Sequence, residues 1–200
     1  MKKKTQHSQH RSSHLPPSLL NSGQTGWLCD TQHCPSPNFN QRPSGCPVSL
    51  LVIHNISLPP GQFGTNDIPA FFCNTLNIDK HPYFKTIGEL QVSAHCLIER
   101  TGKVIQFVSF EARAWHAGQS LFEGQDNCND YSIGIELEGT DDIPYTDAQY
   151  HSLIRLTKVL QQLYPLITPH RITGHQDIAP NRKTDPGPSF DWQRYKSALA

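Results

Sequence analysis

The sequence predicts a single domain of the α/β class, and three observations carry that reading. Residues 48–53 (V-S-L-L-V-I) form a short, nearly continuous apolar run rich in β-branched side chains, which suits a buried strand. Residues 132–138 (S-I-G-I-E-L-E) alternate. Ile133, Ile135 and Leu137 point one way, and Ser132, Gly134, Glu136 and Glu138 the other. Residues 146–164 place Tyr150, Leu153, Ile154, Leu160 and Leu163 at helical spacing. That helix opens on Thr146 and Gln149, the pair of a capping box, and Pro165 ends it.

The remaining elements are shorter. Residues 1–24 read as a disordered basic and polar tail, with the domain occupying 25–200 and Trp27 and Leu28 the first side chains to pack. The start M-K-K-K-T-Q-H-S is not followed by the apolar stretch of about 7–15 residues that a secretory signal needs. Residues 31–47 are rich in Pro, Ser, Asn and Gln and read as an irregular surface segment. A short helix is expected over 67–76 with Phe71 and Phe72 inward, and a weaker one over 79–90. Residues 93–99 and 104–109 flank a Gly-containing turn and read as a β-hairpin, with His95 a structural histidine in its first strand. Residues 171–173 form a short strand that delivers His175, and 191–199 a last helix.

Composition narrows the function classes. The formal net charge is zero, so no global field draws the chain to nucleic acid or to a membrane surface. No apolar run approaches the ~18 residues of a membrane span. Of the six cysteines, Cys96 and Cys128 read as small buried residues. Cys29, His33, Cys34 and Cys46 match none of the usual zinc spacings. With no secretory signal read, the expected compartment is the reducing cytoplasm.

The chemistry concentrates in residues 173–188, T-G-H-Q-D-I-A-P-N-R-K-T-D-P-G-P. Pro and Gly make this a stiff loop rather than a helix face. His175 and Asp185 have nine residues between them and can converge only if the loop doubles back. A neutral imidazole and a carboxylate are ordinary zinc ligands, and a catalytic zinc site wants a third protein ligand and an open position. His54, at the mouth of the 48–53 strand, is the preferred third. Iron also accepts two histidines and a carboxylate, so ligand type leaves the metal open. Glu136 is the candidate general base, on a strand face where Gly134 allows close approach. Lys183 is placed to stabilise an oxyanion, and Asp177 to fix the loop. Trp115 and His116 sit in a loop suited to a sugar or peptide contact, or to anchoring that loop on the core. Base, metal and oxyanion stabiliser together describe hydrolysis of an amide or ester.

Five segments, taken in order, resemble one family: S-L-L-V-I-H-N-I-S from Ser49, V-S-A-H-C-L-I from Val92, A-W-H-A-G from Ala114, S-I-G-I-E-L-E-G-T from Ser132, and G-H-Q-D-I-A-P through K-T-D-P-G-P from Gly174. The family is the zinc amidases that include cytoplasmic N-acetylmuramoyl-L-alanine amidases, phage lysozyme-type amidases and peptidoglycan recognition proteins. The resemblance implies a central mixed β-sheet flanked by helices. It implies one Zn²⁺ per chain on His54, His175 and Asp185, and catalysis by Glu136 and Lys183. It implies substrate contacts from Asn55, Trp115 and His116; beside them the sequence offers Arg182 as a partner for an anion. The implied reaction is hydrolysis of the lactyl-amide bond between N-acetylmuramic acid, preferably in its 1,6-anhydro form, and the L-alanine of a muropeptide, in peptidoglycan recycling. The expected enzyme is a monomer. Gln91 and Asn127 stand where basic residues would be expected to meet the peptide's carboxylates. The competing readings are an amidase of phage or secreted type acting on intact wall, a peptidoglycan-binding module without catalysis, and a different metallohydrolase on the same ligands.

Overall fold

The computed structural model describes residues 25–29 and 31–200; the expected tail at 1–24 lies outside them. Among the described residues ten strands and five α-helices follow one another. β1 (Gln32–His33), β2 (Phe39–Gln41) and β3 (Leu50–Ile56) precede α1 (Asp67–Phe72) and α2 (Phe84–Ile87). Then come β4 (Cys96–Ile98), β5 (Val104–Gln106), β6 (Ala112–Ala114), β7 (Leu121–Phe122), β8 (Gln125–Asp126) and β9 (Ser132–Glu138). The chain closes with α3 (Asp147–Leu163), β10 (Ile172–Gly174), α4 (His175–Ile178) and α5 (Trp192–Ser197). Six strands make one mixed sheet in the order β1-β5-β4-β9-β3-β10. Its centre is parallel: β3 runs beside β9 on one side and β10 on the other. The β4–β5 pair is the expected hairpin, antiparallel across the turn at Gly102.

Side-chain alternation sorts the sheet into two faces. Leu51 and Ile53 of β3, with Ile133, Ile135 and Leu137 of β9, pack against Tyr150, Leu153, Leu156 and Leu160 of α3 in the largest core cluster. Leu50 and Val52 face the other way, against Ala117, Cys128, Tyr131 and Ile178. Leu50 through Ile53 are all fully buried, which explains an apolar run without alternation. Each such side chain contributes about 1.5–3 kcal/mol on burial, so β3 is the anchor of the sheet. The capping box at the start of α3 forms as expected. Thr146 Oγ1 accepts from the Gln149 N–H at 3.1 Å, and Gln149 Oε1 accepts from the Thr146 N–H at 3.1 Å.

Several expectations need correction. β3 does not stop at Ile53 but runs on to Ile56, because β9 continues alongside and keeps its backbone paired. His54 is therefore inside a strand and not at its mouth. The segment 31–47 is not wholly irregular: β1 adds in parallel to β5, and β2 pairs antiparallel with β6. The helix expected over 67–76 ends at Phe72, and that over 79–90 shrinks to the single turn α2. The loop at 173–188 begins with a helical turn, α4, whose N-terminus is closed by Asp177 Oδ2 accepting from the Gly174 N–H and the Thr173 hydroxyl, both at 2.9 Å. Asp177 thus fixes the loop, as expected.

Thr146→Ala removes one half of the capping box and is expected to cost about 1 kcal/mol. For a domain of this size that is a drop of roughly 2–4 °C in melting temperature. A thermal melt by circular dichroism reads it, and an unchanged midpoint would show that the box contributes nothing.

Candidate active site

Three neighbouring strands deliver the central side chains. β3 and β9 are in register with His54 opposite Glu136, so a histidine and a carboxylate stand side by side on one sheet face. Gly174, the last residue of β10, pairs with Ile53, so His175 emerges one step beyond, next to His54. These are the carboxyl ends of parallel strands, where α/β sheets commonly place their sites. Asp185 returns from the loop, whose backbone is tied by the Gln176 N–H donating to the Asp185 carbonyl at 2.9 Å. The next turn is held from the sheet: Asn55 Nδ2 donates to Asp141 Oδ1 at 2.8 Å and to the Pro186 carbonyl at 3.1 Å, and the Tyr145 hydroxyl donates to the same carbonyl at 2.8 Å. Gly187 lies so close to Asp141 that a Cβ there would come within 2.3 Å of its Cα.

The three expected ligands converge. His54 Nδ1 lies 3.0 Å from His175 Nδ1 and 3.1 Å from Asp185 Oδ2, and the last pair is 3.0 Å apart. Both histidines are buried, and the Asp185 side chain is 14% exposed. Donors held about 2.0–2.1 Å from a tetrahedral metal sit roughly 3.3 Å from each other, so the triangle fits a small divalent cation after a few tenths of an ångström of expansion. The far ring nitrogens support that role. His175 Nε2 donates to the Ala117 carbonyl at 3.2 Å, which leaves Nδ1 with a free lone pair. His54 Nε2 meets His116 Nδ1 at 2.9 Å. Burial, then the neighbouring His175 ring, lowers the His54 pKa to about 4 and keeps it neutral, the form that ligates. Burial opposes ionisation of Asp185, but the close His175 and His54 rings outweigh it and hold the carboxyl below the usual carboxylate range. Among the described residues this is the one group of histidine, cysteine and carboxylate side chains that could hold a metal ion. The Cys29, His33, Cys34 and Cys46 set does not assemble. His33 Nε2 bonds the Leu28 carbonyl, and Cys34 Sγ faces Cys73 Sγ at 3.3 Å.

Glu136 stands beside this triangle. Its Oε2 is buried without a hydrogen-bond partner. Burial, then the charge of Asp185, raises its pKa well above the ordinary value, and Lys183 partly offsets them. An unsatisfied carboxylate oxygen is costly to bury, and in a cleft it makes Glu136 a candidate for proton transfer. Glu138 is not equivalent: its Oε1 accepts from the Gly64 N–H at 2.6 Å and its Oε2 from the Arg100 N–H at 3.0 Å, so it ties loops together.

A cleft of about 360 Å³ opens over Glu136, His175, Lys183 and Asp185, with Asn55 and Trp115 on its rim and an apolar wall from Phe71, Tyr83 and Leu90. A second lobe of about 340 Å³ runs past Trp115 toward Gln91 and Arg182. Arg182 is partly committed, donating to the Ala117 carbonyl at 2.8 Å and the Gln119 carbonyl at 2.5 Å. The Trp115 indole N–H donates to Asn40 Oδ1 at 3.0 Å. His116 uses both ring nitrogens inside the protein, its Nε2 meeting Ser132 Oγ at 3.1 Å. His95 is structural: its Nδ1 accepts from the Gly134 N–H at 3.0 Å, and burial, with Arg42 nearby, lowers its pKa to about 3. Sequence reasoning missed Asn129, whose Oδ1 accepts from the His116 and Ala117 N–H groups and shapes the loop between the lobes. It also missed the Ala117 carbonyl and Asp141; no periodic pattern marks any of them.

Residues 44–188 match the family model described as N-acetylmuramoyl-L-alanine amidase. The chain belongs to this amidase family. The 1,6-anhydro-N-acetylmuramyl-L-alanine amidase AmpD of Enterobacter cloacae is 56% identical over 176 residues, 88% of this chain and 94% of that protein. A crystal structure of a selenomethionine derivative of AmpD, 54% identical, matches with a TM-score of 0.86 over 88% of this chain and 98% of that one. The N-acetylmuramyl-L-alanine amidase AmiD from E. coli, solved with anhydro-N-acetylmuramic acid-L-Ala-D-gamma-Glu-L-Lys, is 31% identical with a TM-score of 0.56 over 80% of this chain and 60% of that one. The mixed sheet with flanking helices is thus the amidase fold that the sequence led one to expect.

Asp185→Ala is expected to abolish tight metal binding and activity together, read by metal analysis after dialysis; a loaded, active variant would remove Asp185 from the ligand set. Glu136→Ala is expected to keep its metal and lose about 10²–10⁴-fold in turnover. Turnover near that of the unaltered enzyme would place the base elsewhere.

Proposed function

We propose that this chain is a zinc-dependent amidase that cleaves the bond between the lactyl group of 1,6-anhydro-N-acetylmuramic acid and L-alanine in soluble muropeptides, as a cytoplasmic monomer in peptidoglycan recycling. One observation carries the reading: a two-histidine, one-carboxylate triangle and a buried, unpartnered glutamate oxygen share one cleft. The names of the relatives supply the substrate class. No helix among the described residues is long and apolar enough to cross a membrane.

His54, His175 and Asp185 would hold a zinc ion, which would supply Lewis-acid chemistry to the carbonyl and to water at the site. Glu136 Oε2 takes a proton from that water and returns one to the alanine nitrogen as the C–N bond breaks. Water is added across the amide, leaving a carboxylate on the lactyl group and a free amine on the peptide. The Lys183 ammonium, at the cleft mouth, offsets the charge that develops on the carbonyl oxygen. Trp115 offers an aromatic edge between the two lobes. Arg182 keeps a cation beside the second lobe for a carboxylate of the peptide stem. Asn55 lines the cleft and holds the Pro186 turn behind Asp185.

The test is a digest of 1,6-anhydro-N-acetylmuramoyl-tripeptide, and in parallel of intact sacculi, with and without chelator, read by mass spectrometry. Free tripeptide from the soluble substrate, lost with chelator and restored by zinc, is the expected result. Release from sacculi alone would move the substrate to intact wall. No release from either by zinc-loaded protein would leave a binding role.

A further inference from the structure

We propose that His116 is a positioning residue for the ligand His54, setting its tautomer and ring angle, with Ser132 anchoring its far nitrogen and Gly134 making its room. This rests on the metal-site reading above. The two histidine ligands are supported differently. His175 donates its Nε2–H to a backbone carbonyl, which can only accept, so its tautomer is fixed outright. His54 has no carbonyl at Nε2; its partner there is His116 Nδ1 at 2.9 Å. For His54 to offer its Nδ1 lone pair to a metal, the His54 proton must sit on Nε2, and His116 Nδ1 must accept it. The His116 proton then sits on its own Nε2 and needs an acceptor, which Ser132 Oγ provides at 3.1 Å. Orientation of the ligand is passed along two hydrogen bonds to the sheet.

Packing makes this arrangement specific. An alanine at Gly134 would put its Cβ 2.5 Å from His116 Cγ and Nδ1, so the imidazole lies flat on a strand position with no side chain. Asn129 Oδ1 clamps the His116 and Ala117 N–H groups at 3.1 and 2.8 Å, which fixes the backbone carrying the ring. The alternate positions of β9 therefore divide the work on one face: Ser132 anchors, Gly134 gives room and Glu136 faces the cleft. With both nitrogens engaged, His116 acts on the site through His54 rather than by hydrogen bonding to substrate.

The experiment measures zinc affinity by competition with a chromogenic chelator, and the His54 tautomer by long-range ¹H–¹⁵N spectra of zinc-loaded protein. The proteins are wild type, His116→Phe, His116→Gln and Ser132→Ala, each checked by thermal melting without metal. His116→Phe keeps a ring without an acceptor and is expected to weaken zinc by about 10–100-fold. His116→Gln, whose side-chain carbonyl can accept, is expected to recover most of the loss, and Ser132→Ala to show a smaller one. Wild type is expected to carry the His54 proton on Nε2. Zinc affinity within roughly threefold of wild type in His116→Phe, with the Nε2–H signal intact, overturns the proposal, as does a raised KM with unchanged zinc affinity. If His116→Phe fails to fold, Ser132→Ala decides: weakened zinc affinity with a disturbed Nε2–H signal supports the proposal, and unchanged affinity with that signal intact overturns it. Failure of wild type to bind zinc would instead sink the metal-site reading itself.

Discussion

Everything at the site depends on two imidazole nitrogens and a carboxylate oxygen held about 3 Å apart at the end of a sheet. Left to themselves, two lone pairs and a negative charge do not gather. A proton or a cation must sit among them, and the low dielectric around buried groups sharpens that demand. The fold meets it by geometry rather than by local chemistry. One of the three groups rides on β3 and a second leaves the end of the adjacent parallel strand β10, in a register set by fully buried aliphatic side chains. The third rides on a loop that has to be brought back.

That return is the more delicate half. Asp185 is followed by a turn whose carbonyl is gripped from two sides, by Asn55 on the strand next to His54 and by Tyr145 just before α3. Asn55 therefore links the strand of His54 and the loop of Asp185 through one amide. Asp141 completes the clamp, and the absence of a side chain at Gly187 lets that backbone come close. The same logic recurs on the other flank, where Asn129 holds the 115–118 loop against the sheet and the Ala117 carbonyl serves both His175 and Arg182.

Much of this was legible in the sequence, for identifiable reasons. The β9 strand and α3 announce themselves by period, and the α3 cap by a two-residue signature, because both are local. His175, Lys183 and Asp185 share one short motif, and His54 directly follows an unmistakable apolar run. What stayed hidden is non-local. β1 and β2 are two and three residues long and exist only because β5 and β6 lie beside them. The α4 turn was masked by the Pro and Gly that follow it. The significance of Gly134 was half read: something does approach closely there, but it is the protein's own His116.

The sheet also works as a partition. One face carries α3, α5 and the largest cluster of aliphatic and aromatic side chains; the ligands, the glutamate and the cleft lie on or beyond the other. Catalytic demands therefore press mostly on one side. Tyr145 is the tie between the two; the rest of the helical core can be rebuilt with less consequence for the site so long as its volume is conserved. Change in substrate preference has to arise in the loops above the strand ends, where side chains can turn over without disturbing the scaffold beneath.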